Sequence, residues 1–314
     1  MYRILGFIIL GLLGVACQKE GNLVSGEGIE NYFEVPGTAM DEESVLRREF
    51  QKETGSYLLF NDTLRKEFLG RDEDGFPRYS FETVELGYGI LSSSMDKFTF
   101  HYLENMEIKR AGVSFVKERL LALMDKSLAP YSFLLVNTIL QYPFYLEEGM
   151  EASEGFYGEG YPINFYSGTR CMAISMGDIL GMDDEEQVGF LKEIMIAMVS
   201  NMLTARPSVL LDFYAPGKDY YDKSGYMYEL FPELYINDLR ELGFITGSLE
   251  YDEDYWDYRV QFPSEKEDVL SFMEVMFGDE DVFLEENAAY PIVIEKYNLL
   301  KKVVTDLGIH LEMF

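Results

Sequence analysis

Asp183-Asp184-Glu185-Glu186-Gln187, continued by Val188, Leu191, Met195, Met198 and Met202 and closed by Ala205-Arg206-Pro207, is the stretch on which the fold of this chain turns. The five apolar positions are spaced 3, 4, 3 and 4 residues apart, the repeat of one helix face. Ile194, Ile196, Ala197, Val199 and Leu203 carry apolar surface around most of the second half, so the spacing predicts a long buried helix over 183–205. Asp183 with Glu186 three residues on has the form of a capping box, and Arg206-Pro207 stops the helix because proline disfavours helical backbone before it. The apolar half holds no histidine, cysteine or inward carboxylate.

Outward from this helix the periodicities alternate. Residues 42–53 form a short amphipathic helix ended by Thr54-Gly55, and 56–61 a strand. Residues 64–79 read as a charged loop, with strands over 81–90 and 97–103. A helix over 105–128 places Val113, Val116, Leu120, Leu123 and Met124 on one side. Tyr131 to Tyr142 reads as one central strand buried on both faces, and 170–176 as a strand feeding the buried helix. Between them runs a glycine- and tyrosine-rich excursion, 149–168; long loops of this kind in a compact domain are usually functional. Amphipathic helices follow near 264–277 and 289–307. The class is α+β, a small mixed sheet packed on a buried central helix.

The chain opens with an apolar run from Ile4 to Ala16 that ends at Cys17. It is too short to span a bilayer, which takes about 20 helical residues, and reads as a secretory leader. Gly14-Val15-Ala16-Cys17 resembles the lipobox of bacterial lipoproteins, with Gly14 where leucine is usual. The resemblance implies cleavage before Cys17 and a lipid on that cysteine. Gln18-Lys19-Glu20 is similar to the acidic export tag that carries such proteins to the outer face of the outer membrane in Bacteroidetes-type bacteria. The expected organisation is a leader over 1–16, a flexible tether over 17–40 and one domain over 41–314, lipid-anchored at the cell surface.

Composition excludes some partners. A formal charge of −30 opposes binding to polyphosphate, which depends on lysine and arginine releasing counterions, so nucleic acid is not expected. Asp72-Glu73-Asp74-Gly75, Asp252-Glu253-Asp254 and Asp279-Glu280-Asp281 offer oxygen ligands of the kind calcium takes, without EF-hand spacing. No other cofactor is expected. Cys171, with Cys17 lipidated, is left alone in an apolar context and reads as a packed thiol.

A buried strand, a buried helix entered from an acidic cap, the Phe213-Tyr214 and Tyr220-Tyr221 segments, Glu241-Leu242-Gly243-Phe244, and a closing helix ending in Leu307-Gly308-Ile309 follow one another in an order that resembles the zincin-like zinc metallopeptidase lipoproteins of Bacteroidetes. The resemblance covers about residues 130–310. It implies a zincin-like fold whose buried helix would bear H-E-x-x-H, two histidines gripping zinc and a glutamate polarising its water. Residues 190–203 contain no histidine, so no catalytic or metal-binding residue carries over.

The histidines, His101 and His310, stand outside ligand spacing, which also weakens Ser-His-Asp and Cys-His catalysis. A pair of carboxylates could still hydrolyse a glycan. Loop aromatics mark the expected binding face: Tyr157, Tyr161, Tyr220, Tyr221, Tyr226 and Trp256, with Tyr166, Tyr228, Tyr255 and Tyr258 beside them. Large, stiff rings with hydroxyls stack on sugars or on protein surfaces. The expected function is a binding or assembly module for a protein or glycan partner, with a carboxylate-based glycan hydrolase or glycan-binding accessory protein as the alternative.

Overall fold

The computed structural model describes residues 31–87, 95–146 and 155–313. The leader, Cys17 and most of the tether lie outside the described residues. The α+β class holds: a compact unit runs from Phe33 to Phe314 and contains helices and several small sheets.

Its largest sheet has four strands, in the spatial order Tyr57–Leu59, Ser132–Val136, Met172–Ser175 and Phe165–Ser167. The first three run parallel and the last is an antiparallel edge. Strand geometry sends alternate side chains to opposite faces, and here both faces are covered. Phe133, Leu135, Met172 and Ile174 enter one core with the spine helix, while Leu134, Val136, Cys171 and Ala173 enter a second core behind the sheet. Burial in that second core pushes the Cys171 thiol up to about 12, as expected of an unreactive packed cysteine.

The spine helix is Asp184–Thr204. Its capping box is complete: the Asp183 side chain accepts from the Glu186 amide at 2.9 Å, and Glu186 accepts from the Asp183 amide at 2.9 Å. The buried set is Phe190, Leu191, Ile194, Met195, Met198, Val199 and Leu203. Each such side chain stabilises the fold by roughly 1.5–3 kcal/mol. Val188 departs from the expected face, at 39% exposed, because the first turn projects past the core to meet solvent. Helices Glu265–Met276 and Pro291–Asp306 close the same core. Among the described residues no single helix is long and apolar enough to cross a membrane.

Four sequence expectations change. The run 131–142 is two strands: Ser132–Val136 stays in the central sheet, and Thr138–Tyr142 pairs with Lys97–His101 and Tyr161–Ile163 in another. The expected loop 64–79 is a hairpin, Thr63–Arg71 with Pro77–Thr83, which stands almost wholly in solvent and so lacks the apolar alternation that betrays a strand. The excursion over 149–168 contains short strands, Phe156–Tyr157, Tyr161–Ile163 and the antiparallel edge Phe165–Ser167, with 147–154 outside the described residues. Phe33, expected in the tether, is packed: it is 4% exposed, its ring against Tyr57 and Tyr131 and under the Arg170 guanidinium.

The acidic runs serve as backbone caps. Asp72 accepts from the Asp74 and Phe76 amides within the hairpin turn, and Asp279 accepts from the Val282 amide at the start of a helix, Glu280–Glu286.

His310 ties the C-terminal end to the distant 3-10 turn Leu121–Leu123 and the residues after it, through the Ala122 carbonyl at 3.1 Å and Asp125 Oδ1 at 3.2 Å. The Ala122 carbonyl first, then Asp125, raise its pKa above the ordinary 6.5. A raised folded value means the contact stabilises fully below the unfolded pKa and is lost as pH climbs through the folded one. His310→Gln is therefore expected to lower the melting temperature more at about pH 5.5 than at about pH 9. An equal loss at both would sink the assignment.

Candidate functional site

The segment 217–262 builds a third, aromatic core, and an open cleft lies on top of it. Tyr220, Phe231, Phe244 and Phe262 interlock, with Tyr220 stacked on Phe262 at 5.3 Å and Phe231 edge-on to Phe262 at 5.9 Å. Edge-to-face and offset ring pairs satisfy the aromatic quadrupole, so the cluster forms a rigid floor. Above it a three-stranded sheet carries the walls: Ser224–Tyr226 and Ser248–Asp252 both pair with Asp257–Gln261.

The cleft has a volume of about 550 Å³. Ring-bearing residues Tyr226, Tyr228, Tyr235, Tyr255, Trp256 and Tyr258 line it. Glu229, Asn237 and Asp257 are its polar counterparts, and no lysine or arginine lines it. Three interactions preset the walls. The Tyr226 hydroxyl donates to Asp252 Oδ2 at 2.9 Å while its ring lies 4.8 Å from that of Tyr255. Asp257 accepts from the Tyr228 amide at 3.1 Å and the Tyr258 amide at 2.8 Å. Asp252 Oδ1 accepts from the Asp254 amide, closing the turn.

Trp256 ends that turn. The hairpin Ser248–Asp252 to Asp257–Gln261 is joined by residues 253–256, and Trp256 adopts φ 56°. A left-handed residue suits such a hairpin connection, and glycine or asparagine normally supplies it. A bulky indole there costs on the order of 1–2 kcal/mol. It is nevertheless 83% exposed, so no core contact compensates. Backbone strain of this kind clusters at active sites and ligand clamps.

The expected face is thus divided. Tyr226 and Trp256 are brought together in the cleft. Tyr220 faces inward as part of the floor. Tyr221 also turns inward: its hydroxyl donates to the buried Asp268 at 2.6 Å, and burial, then the Asp268 charge, raise its pKa. Tyr157 and Tyr161 are exposed elsewhere, Tyr157 pairing with Phe144 and Tyr161 with Gln141 in separate small sheets. Tyr235 and Glu229 were missed by sequence reasoning, although Tyr235, at 85% exposed, stands furthest into solvent of the lining rings. Its loop, with Pro232 and Asn237 nearby, carried the only available signal: turn residues flanking aromatics.

The histidines stay apart from this site. His101 ends the strand that pairs with Thr138, and His310 bonds Asp125. Among the described residues no group of three or more His, Cys, Asp or Glu side chains converges as a metal-ligand set. No family model, no curated protein and no solved structure matches this chain.

Proposed function

We propose that this chain is a lipid-anchored outer-membrane surface protein whose domain is a non-catalytic relative of the zincin-like metallopeptidases, and that it binds a partner or ligand in the ring-lined cleft. The observation that carries this reading is the middle of the spine helix. Ile194, Met195, Met198 and Val199 are buried there as hydrocarbon and thioether, on the helix that the resemblance to the zincins would make the metal-bearing one. The finer, zincin-like part of the reading is supported by the order of parts: a buried strand, an acidic capping box, a buried helix, then closing helices over the same core.

Glycan hydrolysis by two carboxylates is less well supported. Of the two acids that line the cleft, Asp257 is committed to two backbone amides, which leaves Glu229 without the partner acid such chemistry requires.

Cys17→Ala is expected to move the protein from the membrane to the soluble fraction, and elemental analysis of the purified protein is expected to find no stoichiometric zinc. Unchanged fractionation would remove the anchor. Bound zinc at one equivalent would overturn the non-catalytic reading.

A further inference from the structure

We infer that the cleft receives a neutral oligosaccharide, stacked on Trp256 and the neighbouring tyrosines; this rests on the cleft being the working site. Charge narrows the choice first. With no cation in the lining and a chain at −30, a uronate-rich or sulfated polysaccharide meets only repulsion. A cationic peptide needs carboxylates free to receive it. Of the two lining acids, Asp257 is turned toward its own wall, accepting from the Tyr228 and Tyr258 amides, as Asp252 beside the cleft is turned to Tyr226 and Asp254, so Glu229 is the one lining acid without a hydrogen bond among the described residues.

What remains for a ligand is a set of flat rings and neutral polar groups. The hydroxyls of Tyr228, Tyr235 and Tyr255, the Asn237 side-chain amide and the Trp256 indole N–H make no hydrogen bonds among the described residues. Phenols and amides both donate and accept, and the indole donates. Sugar hydroxyls do both as well, whereas the C–H face of a pyranose presents apolar surface to an aromatic ring. A proline-rich peptide would present ring faces too, but proline has no N–H, so it would give the Asn237 side-chain oxygen and the Glu229 carboxylate no donor, whereas sugar hydroxyls supply one.

Size and order agree with a short oligosaccharide. The volume falls within the roughly 300–1,000 Å³ of small-ligand sites. The wall backbone is set before binding: the Tyr226 hydroxyl is held by Asp252, the Tyr228 main-chain amide by Asp257, and the Trp256 main chain by the closed turn. Prior ordering removes part of the entropy cost that open aromatic clefts otherwise incur.

Trp256 is the chain's single tryptophan, so its fluorescence reports this cleft and nothing else. The full-length protein in detergent is titrated with maltohexaose, cellohexaose, xylohexaose, mannohexaose, hexalysine and a proline-rich decapeptide. At least one neutral hexasaccharide is expected to shift the emission to the blue, saturably, and to shield it from iodide. Tyr235→Ala is expected to weaken that ligand about tenfold or more, as loss of one central ring contact does. The variant's unchanged near-UV circular dichroism separates this from misfolding.

A saturable response to a peptide with none to any hexasaccharide would overturn the ligand class and leave the cleft as the site. A hexasaccharide that binds by calorimetry without moving Trp256 emission, and equally in Tyr235→Ala, would overturn the cleft itself. Silence from all four hexasaccharides would also overturn the neutral-glycan inference.

Discussion

Lys296→Ala is expected to destabilise the folded domain by about 3–5 kcal/mol, the range for breaking a buried ion pair from one side. Lys296 and Asp268 are both 0% exposed, with Nζ 2.5 Å from Oδ2. The ammonium also donates to the Gly243 carbonyl at 2.9 Å and lies 4.5–5.0 Å from the ring centres of Phe213, Phe244 and Phe272. Asp268 receives the Tyr221 hydroxyl, but its Oδ1 has no partner. Burial raises the Asp268 pKa and lowers that of Lys296, each toward its neutral form, so desolvation outweighs the attraction between them.

Two consequences follow. Removing the lysine alone strands a carboxylate among aromatic rings. Replacing both partners, as in Lys296→Met with Asp268→Leu, removes the desolvation cost together with the pair and is expected to recover most of the loss. Urea unfolding of the two variants decides it: a single variant within about 1 kcal/mol of the parent would show the pair to be solvated in the folded state. The pair also binds the closing helices to the turn at Gly243, where φ is 86° and an added Cβ would lie 2.5 Å from Ile292 Cγ2. Only glycine fits there without displacing the helix that carries Lys296.

The second large effect lies in the spine. Ile194→Ala is expected to cost about 2–5 kcal/mol, since the side chain is fully buried between the sheet and the closing helices and its removal leaves a cavity. Val188→Ala, six residues earlier on the same helix, is expected to change stability by no more than about 0.5 kcal/mol. The contrast is informative because the heptad-like spacing placed Val188 on the apolar face, and only the exposed first turn removes it. Equal losses in the two variants, read from urea midpoints, would mean that the helix is packed along its whole length.

These two sites show how differently the chain speaks at different ranges. The spine helix was legible because its information is local: acidic cap, apolar period and Arg206-Pro207 stop lie within 25 residues. The two-faced burial of Ser132–Val136 was legible for the same reason, as an apolar run without alternation. The break at Asn137 was not, because the two halves of that run differ only in which strand pairs with them. The solvent-exposed hairpin at 63–83 was hidden by its own composition, since a strand with no buried face has no period to display.

For the candidate site the division is sharper. Sequence alone determined the supply of rings, the net negative charge and the lack of histidine in the spine helix, because composition and short spacings record those directly. Which tyrosines line the cleft was decided by tertiary structure alone. Tyr220 and Tyr221 are adjacent to the cleft in sequence yet seal the core beneath it, one among phenylalanines and the other against Asp268, 47 residues further along the chain. Tyr235 and Trp256 meet across one cleft although 20 residues separate them. A ring's identity fixes what it can stack on, but the pairing of distant strands fixes which way it points, and that pairing is nowhere written within the reach of a single element.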